Sequence, residues 1–158
     1  MSIERSKFFQ IMSQFASGVT VVTTMHNGVP HGLTVSAFAS LSADPTLVLV
    51  SINTSRYGYE VIRAAGSYAV NILSEDQADL SNHFATPLED KFASVDYRLG
   101  AHGMPLINGA LAYVECKVTA AVPGGDHTIF IGEVLDGESY EGRPLLYFER
   151  KYRKIADF

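Results

Sequence analysis

The sequence is poor in cysteine and in charged residues. Cys116 is the single cysteine among 158 residues, so the chain cannot form an internal disulfide, which is typical of proteins from reducing compartments. Charged residues make up 18% and hydrophobic residues 47% of the chain, which excludes disorder of the whole chain and provides material for a packed core. The length predicts one domain over residues 1–158.

Basic charge and long apolar runs are also missing. Lys and Arg number 12 against 17 Asp and Glu, a net charge of −5, so we do not expect nucleic acid as a partner. The longest aliphatic run, at residues 47–50, is far shorter than the roughly 18 residues that cross a bilayer, so no membrane span is expected. The N-terminal MSIERSKFFQ lacks the apolar segment of a signal peptide, and we expect a cytoplasmic protein.

Several common catalytic motifs are absent from the sequence. Neither glycine-rich phosphate loop, G-x-x-x-x-G-K-[ST] or G-x-G-x-x-G after a strand, occurs, and no serine lies in a G-x-S-x-G elbow. The five histidines are dispersed without the spacing of metal ligands, so no metal site is expected. Cys116, flanked by valines in an alternating segment, is expected to be a buried, unreactive thiol.

The first third of the chain predicts a helix followed by strands. Apolar residues at 8, 11, 12 and 15 have the spacing of one helical face, which predicts a helix over about 4–16. The β-branched run from Gly18 ends in Asn27-Gly28, which predicts a type I′ hairpin to residues 29–38. Asp44-Pro45 precedes a third strand, Thr46 to Ile52, whose apolar run predicts burial on both faces.

The remaining chain predicts two more helices and further strands. We expect a short helix over 56–65 closed by Gly66, a strand over 68–73, and a helix over 75–85 that starts with a Ser74/Gln77 capping box. In the segment 111–118, Cys116 and three other small or apolar residues alternate with Glu115 and Lys117 on the opposite face. Strands over 127–135, 145–148 and 152–155 complete six or seven strands, predicting a small, mainly β, antiparallel barrel with helices at its rim.

Polar side chains cluster where two predicted strands end. Thr34, Ser36 and Ser40 end the second strand, and Ser51, Asn53, Thr54 and Ser55 end the third, with Arg56 just beyond. If these strands are adjacent, hydroxyls, amides and a guanidinium converge to bind a phosphate and a polar ring edge. The alternative is that these residues only form turns, which favour Ser, Thr and Asn.

Six ordered segments carry a resemblance to a known family. They are FASGVTVVTT (15–24), GLTVSAFASLSADPTLVLVSIN (32–53), SYAVNILSEDQADLSNHFA (67–85), DKFASV (90–95), GDHTIFIGEV (125–134) and PLLYFERKYR (144–153). Together they resemble the short-chain flavin reductases, the reductase components of two-component flavin-dependent monooxygenases. The resemblance implies an FMN-binding split β-barrel with Greek-key-like topology, a homodimer, transfer of hydride from NADH or NADPH to FMN or FAD, and release of reduced flavin to an oxygenase partner.

The resemblance also implies roles for individual residues. Positions that match the flavin site are Thr34, Val35, Ser36, Ala37, Ser40, Ser51, Ile52, Asn53, Ser55, Arg56, Phe84 and Lys91, with Phe92 beside Lys91. His127 matches the nicotinamide site, which Tyr152 closes. On sequence alone, His127 is equally well explained as a strand-start residue bonding to its own turn. No catalytic acid, base or nucleophile is required, because the flavin supplies the chemistry.

The sequence departs from the family pattern at two places, and two other functions are compatible with it. Thr46 replaces a second proline, and Tyr57-Gly58 follows Ser55-Arg56 where a small hydroxyl residue is common, which leaves FMN against FAD undecided. A flavin-holding electron-transfer or sensor protein, or a non-enzymatic dimeric barrel, is compatible with the same fold, since a fold does not determine a function.

Overall fold

The computed structural model describes residues 2–156, so residues 1, 157 and 158 of the predicted domain lie outside the described residues. The helices are α1 (Arg5–Met12), α2 (Tyr57–Ala65) and α3 (Ala78–Ala85). The strands are β1 (Ser17–Gly18), β2 (Thr20–His26), β3 (Val29–Val35), β4 (Phe38–Ala43), β5 (Thr46–Asn53), β6 (Ser67–Ile72), β7 (Tyr97–Leu99), β8 (Pro105–Ile107), β9 (Ala112–Gly124), β10 (His127–Ser139), β11 (Leu146–Phe148) and β12 (Lys151–Arg153).

Seven antiparallel strands form one sheet in the order β3-β2-β6-β9-β10-β5-β4. The two edge strands, β3 and β4, are consecutive in the chain and separated only by Ser36 and Ala37. A two-residue connection cannot span a flat sheet of this width, so the sheet must curl until its edges meet. The predicted mainly β, antiparallel barrel is confirmed, with a seam between β3 and β4 that no ladder closes.

Local sequence signals set several of the boundaries correctly. Asn27 and Gly28 both have positive φ, 52° and 76°, as the predicted type I′ turn between β2 and β3 requires. Helix α2 ends at Gly66, which adopts the left-handed conformation with φ 69°. Cys116 is buried with 1% exposure, as the alternation of β9 predicted.

The described residues contain three buried apolar clusters: a small one of Ala69, Met104 and Leu106, and two larger ones that form layers on the two faces of β2. One layer lies inside the barrel around Val22, Tyr68 and Phe130, and α2 inserts Ile62 into it. The other layer lies outside, where α3 contributes Phe84 against Val21. The two layers place α2 and α3 at opposite sides of β2 and β3, where both helices border the seam.

Some predicted elements differ from those observed. The segment 29–38 ends earlier, at Val35, and a separate strand β4 follows it. Strand β5 alternates between buried and half-buried residues instead of being buried on both faces, because its second face is not covered by another layer. Twelve strands occur within residues 2–156, and β11 pairs with β1 on one side and β12 on the other in a small separate sheet rather than completing the main one.

Helices α1 and α3 also start or pack differently from the prediction. Gln77 accepts a hydrogen bond from the Ser74 N–H at 3.0 Å, but α3 begins only at Ala78. The reason is that Ser74 forms a bridge to Pro144 and the Glu75 N–H bonds the Arg143 carbonyl, so residues 74–77 form a bridge and a turn before the helix begins. Helix α1 ends at Met12 and has no buried residue, so its apolar face does not join the core of this chain.

Glu115 is the clearest departure from the expected strand pattern. The alternation placed it on the face opposite Cys116, but its exposure is 0% because the β7–β8 connection folds over it. Its carboxylate accepts hydrogen bonds from the backbone N–H groups of His102 and Met104, each at 3.1 Å. A buried carboxylate is thereby satisfied by backbone donors.

Candidate functional site

A cleft of about 1410 Å³ opens along the seam between β3 and β4. Its floor is the run from Pro30 to Ala37, and its walls come from the end of β5, the start of α2, the end of α3 and the β9–β10 turn. The volume exceeds the roughly 300–1,000 Å³ typical of pockets for one small ligand. The cleft is therefore larger than a site for one small ligand requires.

Ser36 and Ala37 present their backbone N–H groups at the seam, since the Ser36 carbonyl oxygen already accepts a hydrogen bond from the Phe38 N–H at 3.0 Å and that of Ala37 is also bonded. Both residues are exposed and lie outside the β2–β3 and β4–β5 ladders. The strands β3 and β5 are not hydrogen-bonded neighbours, so the adjacency considered for the polar cluster is not the one observed. Closure of the barrel brings their ends together instead, and the Ser51 N–H donates to the Ala37 carbonyl oxygen at 2.9 Å.

The turn after β5 presents Arg56 to the cleft. The side chain of Asn53 accepts hydrogen bonds from both the backbone N–H and the hydroxyl of Ser55, at 2.9 and 2.6 Å. This turn directs Arg56 and the first residues of α2 to the cleft wall, and no side chain caps the start of α2. An uncapped helix start and a guanidinium together form a positive region suited to a phosphate.

Phe84 and Lys91 form the opposite wall. Phe84 is 1% exposed and packs edge-on against Phe92 at 5.2 Å between ring centroids. The Nζ of Lys91 donates hydrogen bonds to the carbonyl oxygens of Phe84 at 2.7 Å and Gly32 at 3.3 Å. Burial, and secondarily the charge of Arg56, lowers the pKa of Lys91.

His127 reaches the cleft from the start of β10. Its Nδ1 lies 2.7 Å from Oδ1 of Asp126, so the ring bonds to its own turn, as the alternative interpretation of this residue proposed. The same ring also lines the cleft, because register pairs His127 with Asn53 of β5. The hydrogen bond to His127 lowers the pKa of Asp126, which keeps this carboxylate ionised at neutral pH.

Most residues assigned to the site from the resemblance line this one cleft. They are Thr34, Val35, Ser36, Ala37, Ser51, Ile52, Asn53, Arg56, Phe84, Lys91 and His127. Ser40, Ser55 and Tyr152 are not among its lining residues. Ser40 is exposed on β4, Ser55 bonds to Asn53, and Tyr152 is bound through its hydroxyl to Ser81 at 2.8 Å and Asn82 at 3.0 Å.

Other lining residues escaped the sequence analysis. Helix α1 contributes Arg5, Phe8, Phe9 and Met12, and the far end of the cleft contains His31 and Tyr57. The helical spacing of α1 signalled a core-facing surface rather than a cleft wall. From the sequence, Tyr57 was identified only as a departure after Ser55-Arg56, and its lining of the cleft was not predicted.

Two absences apply to the part of the chain that the structure describes. Within residues 2–156, no group of three or more His, Cys, Asp or Glu side chains has an arrangement that would hold a metal ion. Over the same residues, no helix combines the length and apolar character needed to cross a membrane.

The strand order and the seam cleft define an open antiparallel split barrel. The chain belongs to the family described as flavin reductase like domain, whose model matches residues 12–156. A relative in Rhodococcus opacus, the reductase component of 4-nitrophenol 4-monooxygenase/4-nitrocatechol 2-monooxygenase, is 43% identical over 99% of this chain and 84% of its own length.

Solved structures give the same assignment. The flavin reductase PheA2 in its native state superposes with a TM-score of 0.93 at 46% identity, covering 98% of this chain and all of that one. The Streptomyces globisporus NADH:FAD oxidoreductase SgcE6, solved with NAD and FAD fragments, has a TM-score of 0.93 at 35% identity and covers 97% and 93% of the two chains. The predicted family and split-barrel fold are confirmed, and flavin and NADH are the cofactors named for relatives of this chain.

Proposed function

We propose that this chain is the reductase of a two-component system, taking hydride from reduced nicotinamide and supplying reduced flavin to a partner oxygenase. The observation that carries the proposal is the seam cleft, which unites eleven of the residues matched to the family's flavin and nicotinamide sites. The named relatives support the partner, since one is the reductase component of a nitrophenol monooxygenase. NADH is proposed as the donor on the similarity to an NADH:FAD oxidoreductase.

The residues present suit a flavin nucleotide. Ser36 and Ala37 offer backbone N–H groups outside the ladders, which suit the acceptor atoms at the polar edge of the flavin ring. Arg56 and the uncapped start of α2 suit its phosphate. Phe84, which packs against Phe92, gives the cleft wall an apolar surface.

Flavin, when bound, supplies the redox chemistry, accepting a hydride from the nicotinamide together with a proton from water. The protein has to hold the two rings close together and exclude competing orientations. His127 faces the cleft from β10 with its orientation set by Asp126, which suits a hydrogen bond to the nicotinamide nucleotide. Tyr152 is proposed to support this site indirectly, through Ser81 and Asn82 of α3.

The test is oxidation of NADH and of NADPH by the purified protein, followed by loss of nicotinamide absorbance with FMN, FAD, riboflavin or no added flavin. We expect oxidation that depends on added flavin, with NADH preferred. Flavin binding without nicotinamide oxidation would replace this proposal with the electron-transfer or sensor function. Absence of flavin binding would leave the non-enzymatic barrel.

A homodimer is proposed as the working form. An isolated eight-residue helix is unstable in water, yet α1 buries no residue in this chain; Ile11 on the helix is 51% exposed and Phe15, three residues beyond its end, is 75% exposed. A second copy of the chain would cover this face. Light scattering at micromolar concentration should give a dimer for the wild type and a monomer for the double variant Ile11→Ser with Phe15→Ser; a monomeric wild type would overturn the proposal.

The location proposed for this system is the cytoplasm, where reduced nicotinamide is available to the reductase. Fusion of the chain to a fluorescent protein and fractionation of the source cells tests this. Recovery of the fusion with membranes or outside the cell would contradict it.

A further inference from the structure

Tyr57 is an exposed aromatic residue that belongs to none of the buried apolar clusters. Its exposure is 74%, and it follows directly after Arg56 at the start of α2. An aromatic side chain stabilises a fold mainly by burying its large apolar surface, and an exposed ring contributes little of this free energy. Its ring nevertheless lines the seam cleft rather than the outer surface, which is the position of a ligand contact.

His31 completes the surface on which Tyr57 lies. The two ring centroids are 5.7 Å apart with an interplanar angle of 58°. Gly58 allows this arrangement, because a Cβ there would come within 3.0 Å of Leu33, so α2 starts in close contact with β3. The pair of rings therefore lies beside the contact between α2 and β3.

His31 lies at the far end of the cleft floor from the seam. Six residue steps of extended chain separate it from Ala37, a distance of about 20 Å. Arg56 precedes Tyr57 directly, so a ligand whose phosphate meets Arg56 would reach Tyr57 next. A mononucleotide ends at its phosphate, whereas a dinucleotide continues past it.

We propose that Tyr57 and His31 form a stacking surface for adenine, which makes FAD rather than FMN the preferred flavin of this protein. The inference rests on the proposed function, since it extends the same site. Burial, with a smaller effect of His26, lowers the pKa of His31, so the ring is uncharged at neutral pH and offers a nitrogen acceptor to the adenine amine. The adenine of NADH has the same chemistry, so the test must separate the two sources.

The test measures flavin affinity by calorimetry without nicotinamide for the wild type, Tyr57→Ala and Tyr57→Phe. The wild type should bind FAD more tightly than FMN. Tyr57→Ala should weaken FAD binding by about tenfold and change FMN binding by less than about twofold, while Tyr57→Phe keeps the ring and the wild-type affinity. Tyr140→Ala is the matched control, because Tyr140 is 49% exposed and lies outside the seam cleft.

A second arm measures the KM for NADH with FMN as acceptor. A rise in this KM in Tyr57→Ala with unchanged FAD affinity would assign the surface to the nicotinamide dinucleotide and overturn the FAD preference. Equal effects on FAD and FMN, or none, would overturn the inference while leaving the proposed function intact. Failure of the wild type to bind either flavin would instead overturn the proposed function.

Discussion

The Nζ of Lys91 donates a 2.7 Å hydrogen bond to the carbonyl oxygen of Phe84, near the end of α3. A second bond, to the Gly32 carbonyl at 3.3 Å, joins the same amine to the cleft floor. Lys91 therefore connects α3, the cleft floor and the segment after α3 at one point. Its amine is engaged with the protein itself, which makes it a residue that positions Phe84 and Gly32 rather than a free cation for the ligand.

Lys91→Met should destabilise the protein and weaken flavin binding. The substitution leaves two carbonyl oxygens without their charged donor, which costs about 1–3 kcal/mol of unfolding free energy. Urea unfolding measures this cost, and calorimetry measures flavin affinity. Lys117→Met, at an exposed position of β9, is the control and should change neither quantity. Wild-type stability and flavin affinity in Lys91→Met would contradict the positioning role.

His127→Ala should raise the KM for NADH while leaving flavin affinity nearly unchanged. The expected split arises because His127 lines the cleft from β10 and is matched to the nicotinamide site, not to any flavin position. Asp126→Ala should raise the KM for NADH by a smaller factor and leave flavin affinity unchanged, because it removes the 2.7 Å hydrogen bond that orients the His127 ring. Asp126→Asn should restore the wild-type KM, because its amide oxygen still accepts the bond. Equal loss of flavin and NADH binding in His127→Ala would exclude this role.

Arg56→Ala should weaken FMN binding but not riboflavin binding. A charge-assisted hydrogen bond contributes about 1.5–3 kcal/mol, and exposure of Arg56 reduces this, so we expect about a tenfold loss for FMN. Riboflavin lacks the phosphate and serves as the internal comparison. Arg63→Ala, on the same helix but outside the cleft, is the control. A comparable loss for riboflavin would mean that Arg56 contacts another part of the flavin.

Glu115→Ala should reduce stability without changing turnover. It removes the acceptor for the N–H groups of His102 and Met104, which costs about 1–3 kcal/mol for buried donors left unsatisfied. Glu115→Gln keeps one acceptor oxygen and should lose less. Urea unfolding compares both with Glu138→Ala at an exposed position of β10. Unchanged stability in Glu115→Ala would show that water replaces the carboxylate.

Cys116 should not react with thiol reagents in the folded protein. Its exposure is 1%, and burial, with a smaller effect of Glu115, raises its pKa to about 12. The thiol therefore stays protonated in the folded chain up to that pH, whereas the unfolded chain ionises near 9.0, so this group lowers stability as the pH rises above 9.0. Labelling with a chromogenic disulfide at pH 8 should begin only when urea is added. Rapid labelling of native protein would contradict the burial.

Much of the site was accessible from the sequence because the family motifs identify residues by position. Eleven of the fourteen assigned residues line one cleft. Tyr152 was assigned to the same site, but in this chain its hydroxyl bonds α3. That bond depends on where the small β1-β11-β12 sheet docks, which no local pattern of residues encodes.

Local signals determined the turn at Asn27-Gly28, the end of α2 at Gly66 and the inward orientation of Cys116, because each depends on backbone preference or on alternation along one strand. The seam is a property of the tertiary structure alone, because curling of the sheet brings the edge strands β3 and β4 close together although no ladder pairs them. The tertiary structure also decided the burial of Glu115 and the exposure of α1, since burial depends on which distant segment covers a residue.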